Sequence, residues 1–235
     1  MGIAIITGGS RGLGAALCDL YRERGWRVLE FSRSAPHPYS VRLDLSDIRN
    51  VPDALGEELR SLAAFDAREV VAIGNASMLG PVGPVEGSSP EEIATHLHVN
   101  VVSAVLFARA FVEAFQGHTC PKTFVNISSG AANRGSAGWS LYGASKAALE
   151  NFVRAVALEQ EGHTEPIRAI SINPGVMDTV MQEEVRNSRP EDFPAVERYA
   201  RLHREGRLAT ASSVASQIAE IVASRPESGG VYPAQ

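Results

Sequence analysis

Short apolar runs rich in β-branched residues recur along this chain, separated by longer Ala- and Leu-rich segments, and few architectures accept that alternation. Each run is continuously apolar, so each strand is buried on both faces, which calls for a parallel sheet covered by helices on both sides. The runs are Ile3 to Thr7, Arg27 to Ser32, Ser40 to Leu43, Glu69 to Gly74, Thr123 to Ser128, Arg168 to Asn173 and a short last one near Val231. Helices are expected at about 13–24, 50–64, 90–116, 140–160 and 212–223, the third opened by Ser89-Pro90-Glu91-Glu92 with proline and acids in its first turn. The expected fold is α/β: a doubly wound, Rossmann-type parallel sheet of about seven strands, in one domain over 1–235. The stretch 176–207, with Pro190, Pro194, Gly206 and many charges, reads as a helical lid excursion within it.

A hydrophobic share of 44% and a net charge of −5 exclude disorder and give no pull towards nucleic acid or membrane. The apolar stretch from Val99 to Phe115 is interrupted by Arg109 and Glu113 and is too short to span a bilayer. Met1 to Thr7 lacks the basic start of a signal peptide, so a soluble, cytoplasmic protein is expected. Cys18 and Cys120 carry no metal-site or disulfide spacing, and His96 and His98 are two apart on a helix, where they cannot share a face. No metal is expected.

After the first strand comes Thr7-Gly8-Gly9-Ser10-Arg11-Gly12-Leu13-Gly14. Glycines here let a turn tighten and let backbone approach a pyrophosphate, which then meets free N–H groups at the positive end of a helix. The spacing G-x3-G-x-G is a variant of the dinucleotide fingerprint. At the end of the second strand an acid would bind a ribose 2′-OH, whereas arginine accommodates a 2′-phosphate. Ser32 stands where the acid would be, Arg33 follows it, and Arg11 adds a second charge from the turn; Glu30, two residues earlier, is the competing acid. The expected cofactor is NADP(H).

Only two lysines occur among 22 basic residues, and one of them, Lys146, lies four residues after Tyr142. With five tyrosines in 235 residues, chance yields that spacing in roughly one such chain in twenty-five, and it places both groups on one helical face. A neighbouring ammonium lowers a phenol's pKa, so Tyr142 can give a proton to a carbonyl oxygen that is receiving hydride. Ser129, at the end of the fifth strand, can hydrogen-bond the same oxygen, with Ser128 as its rival, since alternation points only one of them at the site. Lys122 is read as an ordinary surface residue.

In this order of motifs the chain resembles the short-chain dehydrogenase/reductase family over essentially its whole length. The landmarks are the glycine turn, Asp44-Leu45, Asn75-Ala76, Asn100, Ser129, Tyr142, Lys146 and Pro174-Gly175-Val176-Met177-Asp178-Thr179. The resemblance implies a catalytic tetrad of Asn100, Ser129, Tyr142 and Lys146. Tyr142 would be the proton donor and Ser129 would hold the carbonyl. Lys146 would bind the nicotinamide ribose, and Asn100 would organise a relay water. Asp44 would meet the adenine, Asn75 and Ala76 the adenosine side and Thr179 the carboxamide, with Leu45, Pro174, Gly175 and Val176 also among the cofactor-binding residues. One departure is visible: the usual Asn-Asn-Ala-Gly reads Gly74-Asn75-Ala76-Ser77.

A closer likeness to the sepiapterin reductase and bacterial benzil reductase branch rests on Gly138-Trp139-Ser140-Leu141-Tyr142, on Val180-Met181-Gln182 after Thr179, and on Glu191-Asp192-Phe193 followed by Arg204-Glu205-Gly206-Arg207-Leu208. It implies reduction of a vicinal diketone or aromatic ketone. The C-terminal Gly229-Gly230-Val231-Tyr232-Pro233-Ala234-Gln235 lacks the acid that anchors a pterin, so a benzil-like ketone fits better. Trp139, Met177, Met181 and Phe193 could line an apolar pocket beside Ser129 and Tyr142, or serve as core. Alternatives are 3-oxoacyl carrier-protein reduction and a binding module that senses NADP(H) without chemistry. Pairing through the helices at 90–116 and 140–160 into a homodimer or homotetramer is also implied.

Overall fold

Gly2–Thr7 forms the first strand, β1, with every residue buried. In the computed structural model, which describes residues 1–234, it is followed by α1 (Gly12–Glu23), β2 (Arg27–Ser32), β3 (Ser40–Arg42), α2 (Val51–Ala63) and β4 (Glu69–Gly74). The second half holds α3 (Pro90–Leu97), α4 (Ser103–Phe115), β5 (Lys122–Ile127), α5 (Ser140–Gln160) and β6 (Arg168–Asn173). Three further helices, α6 (Val180–Arg186), α7 (Val196–Arg204) and α8 (Ala211–Ala223), precede the last strand, β7 (Val231–Pro233).

The seven strands form one parallel sheet in the order β3-β2-β1-β4-β5-β6-β7. Strand order reverses between β1 and β4, and at such a switch point the carboxyl ends of the strands diverge to leave a crevice for a ligand. One sheet face is covered by α2, α4 and α5, with Leu55, Leu59, Phe107, Phe111 and Val153 fully buried between layers. The other is covered by α1 and α8 through Leu17, Tyr21, Ile218 and Val222.

The expected single helix at 90–116 is interrupted. α3 has a capping box, in which Ser89 accepts from the Glu92 N–H and Glu92 from the Ser89 N–H, but His98–Val102 widens into a π-helical turn before α4 resumes. By length and composition Pro90–Phe115 could cross a membrane. In this fold Phe107, Phe111 and Phe115 are fully buried against the sheet and α2.

The stretch 176–207 carries α6 and α7. Its two ends meet in an isolated parallel bridge between Met177 and Ala209, where the Ala209 N–H donates to the Val176 carbonyl and the Asp178 N–H to the Ala209 carbonyl. Lys122 corrects the expectation of a surface residue: it is 2% exposed, and its ammonium donates to the His118 carbonyl at the amino end of β5, away from the crevice.

Candidate active site

The glycine turn is built so that side chains cannot enter it. A Cβ at Gly14 would collide with the Gly8 carbonyl, and one at Gly8, where φ is +70°, would press on the Ala76 backbone. From the neighbouring strand Asn75 braces the turn: its amide donates to the carbonyls of Thr7 (3.1 Å) and Gly8 (3.0 Å), while the Thr7 hydroxyl accepts from the Asn75 and Ala76 N–H groups. Asn75 therefore reaches the crevice with its amide hydrogens already used. The Gly74 to Ser77 departure leaves this bracing intact.

Helix α1 begins without a side-chain cap. α3, α6 and α8 are capped by Ser89, Thr179 and Thr210, whereas α1, like α2, α5 and α7, has none; its cap position is Arg11, its first turn holds no acid, and it alone of these starts at the glycine turn. Uncapped N–H groups above a glycine cradle are what an anionic pyrophosphate requires, so these residues fit a dinucleotide.

Glu30 is fully buried and turned beneath the turn, where it accepts from the Gly9 N–H at 2.9 Å and the Ser32 hydroxyl at 3.2 Å. It is thus the bottom of the cradle and does not compete for a ribose. Arg33 and Arg11 stay exposed on the crevice wall with Asp44 and Leu45. The Asp44 carboxyl is held below its ordinary range by the Ser46 N–H (2.9 Å) and hydroxyl (2.8 Å), with the charge of Arg33 adding to the effect.

Arg11, Arg33, Asp44, Leu45 and Asn75 border one cleft of about 1240 Å³ running along the carboxyl ends of the strands. The wall includes Gly8, Ser10, Gly12 and Leu13 at the cradle, Ala76 beside it, then Pro174, Gly175, Val176 and Thr179 beyond β6. Ser129, Tyr142, Lys146, Trp139, Met177 and Met181 line its far part. Three expected site residues do not reach the cleft. Gly14 lies beneath the turn, Asn100 is 1% exposed one layer behind, and Phe193 is fully buried with its ring stacked 4.4 Å from Trp139. Phe193 backs the pocket wall; it does not form it.

Both serines border the cleft, and a buried acid tells them apart. Ser128 is buried and its hydroxyl donates to Glu150 on α5 at 2.6 Å, whereas Ser129 is half-buried and starts the turn Gly130–Asn133 by accepting from the Ala131 N–H. Tyr142, on the first turn of α5, is buried. Burial raises its phenol pKa above 10 and the hydrogen bond with Ser129 opposes that rise. The ammonium of Lys146 donates to the Ile127 carbonyl at 2.8 Å and lies 5.7 Å from the centre of the Tyr142 ring. Burial pulls its pKa down to about 8. In the cofactor-free protein burial is the largest influence on both groups, raising the phenol and lowering the ammonium.

Asn100 sits within the π turn and is held on every side. Its carbonyl accepts from the Met78 N–H at 2.8 Å, and its amide donates to the Met78 carbonyl at 2.8 Å and to His96 Nε2 at 3.0 Å. His96 is fully buried and its Nδ1 lies 2.6 Å from the Gly80 carbonyl, so the ring is neutral with the proton on Nδ1. Burial lowers its pKa. Glu150 and Tyr199 were not singled out from the sequence, while His96 was weighed there only against metal binding and Gln182 only as part of a motif. Spacing alone offered a signal for two: His96 is four before Asn100 and Glu150 four after Lys146.

A parallel sheet with a dinucleotide cradle at its switch point, and a serine, a tyrosine and a lysine converging beside it, defines a nicotinamide-dependent oxidoreductase acting between C=O and CH–OH groups. The chain belongs to the short-chain dehydrogenase family, whose model it matches over residues 2–190. It is 34% identical to the benzil reductase ((S)-benzoin forming) of Bacillus subtilis, across 99% of this chain and 98% of that protein. To the sepiapterin reductase of Xenopus laevis it is 30% identical, across 77% of this chain and 75% of that one. In three dimensions it is similar to the crystal structure of the KRED1-Pglu enzyme, with a TM-score of 0.83 at 27% identity, covering 98% of this chain and all of that one.

Proposed function

We propose that this protein is an NADPH-dependent carbonyl reductase acting on a vicinal diketone or aromatic ketone of the benzil type. The observation that carries the reading is the convergence of Ser129, Tyr142 and Lys146 on one cleft that begins at the glycine cradle. NADPH, when bound, supplies the hydride. Tyr142 gives its proton to the ketone oxygen while Ser129 holds that oxygen and stabilises its developing charge. Lys146 meets the nicotinamide ribose, and its charge beside the phenol favours proton release. Asn100, fixed by Met78 and His96, keeps the π turn open for a relay water. Selection of NADPH falls to Arg11 and Arg33, both exposed on the wall, with Glu30 turned away beneath the turn.

The aromatic wall of Trp139 and Tyr199, with Met177 and Met181, favours a flat apolar ketone. The likeness to benzil reductases over nearly the full chain supports the same substrate class. We place α6 and α7 as a lid on this pocket within a single domain, and the protein as a cytoplasmic homodimer or homotetramer paired through α3–α4 and α5, where Leu97 and Leu158 are exposed.

The test is NADPH consumption with benzil, aryl ketones, sepiapterin and acyl thioesters as substrates. Benzil should be turned over, and Tyr142→Phe should lose about 10²–10⁴ of the rate. Undiminished turnover by Tyr142→Phe would overturn the mechanism. Equal thermal stabilisation by NADH and NADPH would overturn the role of Arg11 and Arg33.

A further inference from the structure

The chain is net acidic at −5, yet its cleft is lined by five cations, Arg11, Arg33, Arg134, Lys146 and Arg198, and by two carboxylates, Asp44 and Glu184. Arg11, Arg33 and Asp44 belong to the adenosine end, and Lys146 is buried at the reacting centre. That leaves Arg134, Arg198 and Glu184 around the substrate end with one positive charge in excess.

The pairing of the lid's arginines sets Arg198 apart. Arg186, Arg189, Arg201, Arg204 and Arg207 each form an ion pair, with Asp178, Asp192, Glu205, Glu197 and Glu205 respectively. Arg198 is the sixth, it lines the cleft, and among the described residues no carboxylate lies within ion-pair distance of it. It is exposed, its guanidinium 5.8 Å from the ring centre of Tyr199, whose ring packs 5.4 Å from Trp139. Arg134 reaches the cleft from the segment joining Ser129 to Trp139, is exposed, and likewise has no carboxylate partner among the described residues. Two guanidinium groups without a carboxylate partner among the described residues therefore come to the cleft from the two elements that supply its aromatic wall.

Resting on the carbonyl-reductase reading, we infer that the ketone this chain evolved to reduce is a monoanion: an aryl ketone whose distal end carries a carboxylate, bound by Arg134 and Arg198. Guanidinium pairs suit planar carboxylates, and a flexible, exposed cation that is left unpaired in the free protein has less to break before binding one. A single negative charge matches the single unit of excess at that end. A neutral diketone fills the aromatic wall and leaves both arginines unused.

The experiment compares benzil with benzil bearing a para-carboxylate, each with NADPH and the full chain. The carboxylate should raise kcat/KM by roughly tenfold or more at low ionic strength, and the advantage should shrink in 0.5 M salt as the exposed charges are screened. In Arg134→Gln/Arg198→Gln the ratio between the two substrates should collapse towards one. Arg201→Gln, which removes an ion-paired lid arginine outside the cleft, should leave the ratio unchanged. No preference for the carboxylate, a preference that survives the double substitution, or an equal loss in Arg201→Gln would each overturn the inference. Turnover of benzil without such a preference leaves the carbonyl-reductase reading standing, whereas consumption of neither diketone overturns both.

Discussion

Ser128 and Glu150, one at the end of β5 and the other a turn beyond Lys146 on α5, share a buried hydrogen bond of 2.6 Å, and this contact engages the hydroxyl of one of the two adjacent serines that border the cleft. Glu150 is itself tied to Arg154 at 3.3 Å, so the buried acid has a partner on its outer side. Glu150→Ala leaves the Ser128 hydroxyl buried without an acceptor and should cost about 1–3 kcal/mol. At this chain length that lowers Tm by roughly 2–4 °C per kcal/mol, measurable by calorimetry. Ser129→Ala removes the cap on the Ala131 N–H, at about 0.5–2 kcal/mol, and should reduce kcat by about 10²–10³.

His96 links two parts of the site, accepting from the Asn100 amide and donating to the Gly80 carbonyl. Burial lowers its pKa below the ordinary 6.5, so between the two values the unfolded chain binds more protons than the folded one. The stability that depends on neutral His96 is therefore complete above pH 6.5 and is lost as the solution is acidified below it. Urea denaturation followed from pH 7.5 to 5 should show this fall, and His96→Gln, which offers a donor and an acceptor without titrating there, should flatten it.

Gly138 stands at φ +82°, and a Cβ there would collide with the Asp192 carbonyl. Its own carbonyl accepts from the Gly83 N–H at 3.0 Å. Gly138→Ala should therefore cost more than the ~1–2 kcal/mol of the left-handed backbone alone, because the 191–193 segment must also shift. Trp139 and Phe193 separate in consequence, and KM for aryl ketones should rise more than kcat falls.

Lys146 is retained against its own desolvation. Its folded pKa of about 8 lies below the unfolded value of 10.5, so the charged form destabilises the cofactor-free fold at pH 7 by on the order of 3 kcal/mol, and stability from this group rises as pH passes 8. Lys146→Met should thus give a cofactor-free protein at least as stable as the wild type at pH 7, despite the orphaned Ile127 carbonyl, while abolishing turnover. The difference in Tm should narrow between pH 7 and 9.

Most of the sheet could be read from the sequence because a strand buried on both faces leaves an unambiguous apolar run. β2, β4 and β6 occupy the expected residues, and β5 is displaced by a single residue at each end. The cradle and the Ser129, Tyr142 and Lys146 constellation were equally legible, since their chemistry dictates residue type and spacing. What escaped was side-chain pairing. The burial of Lys122, the bracing by Glu30 and the rival roles of Ser128 and Ser129 depend on partners 4 to 22 residues away, which periodicity does not encode. The π turn escaped for a related reason: the 98–102 sequence is helical in pattern, and it is the two-way clasp between Asn100 and Met78 that accompanies the widened turn.

The bridge between Met177 and Ala209 brings the start and the end of the α6–α7 excursion to the same place. A segment hung from one pinned point can be lengthened, shortened or exchanged with little added closure cost, since that cost grows only with the logarithm of loop length. The architecture thus separates a sheet that carries Ser129, Tyr142 and Lys146 at its carboxyl edge from a pinned excursion that contributes Met181 and Tyr199 to the same cleft. Grafting the 178–208 cassette of one family member onto the sheet of another is the modular exchange that this hinge-like closure permits.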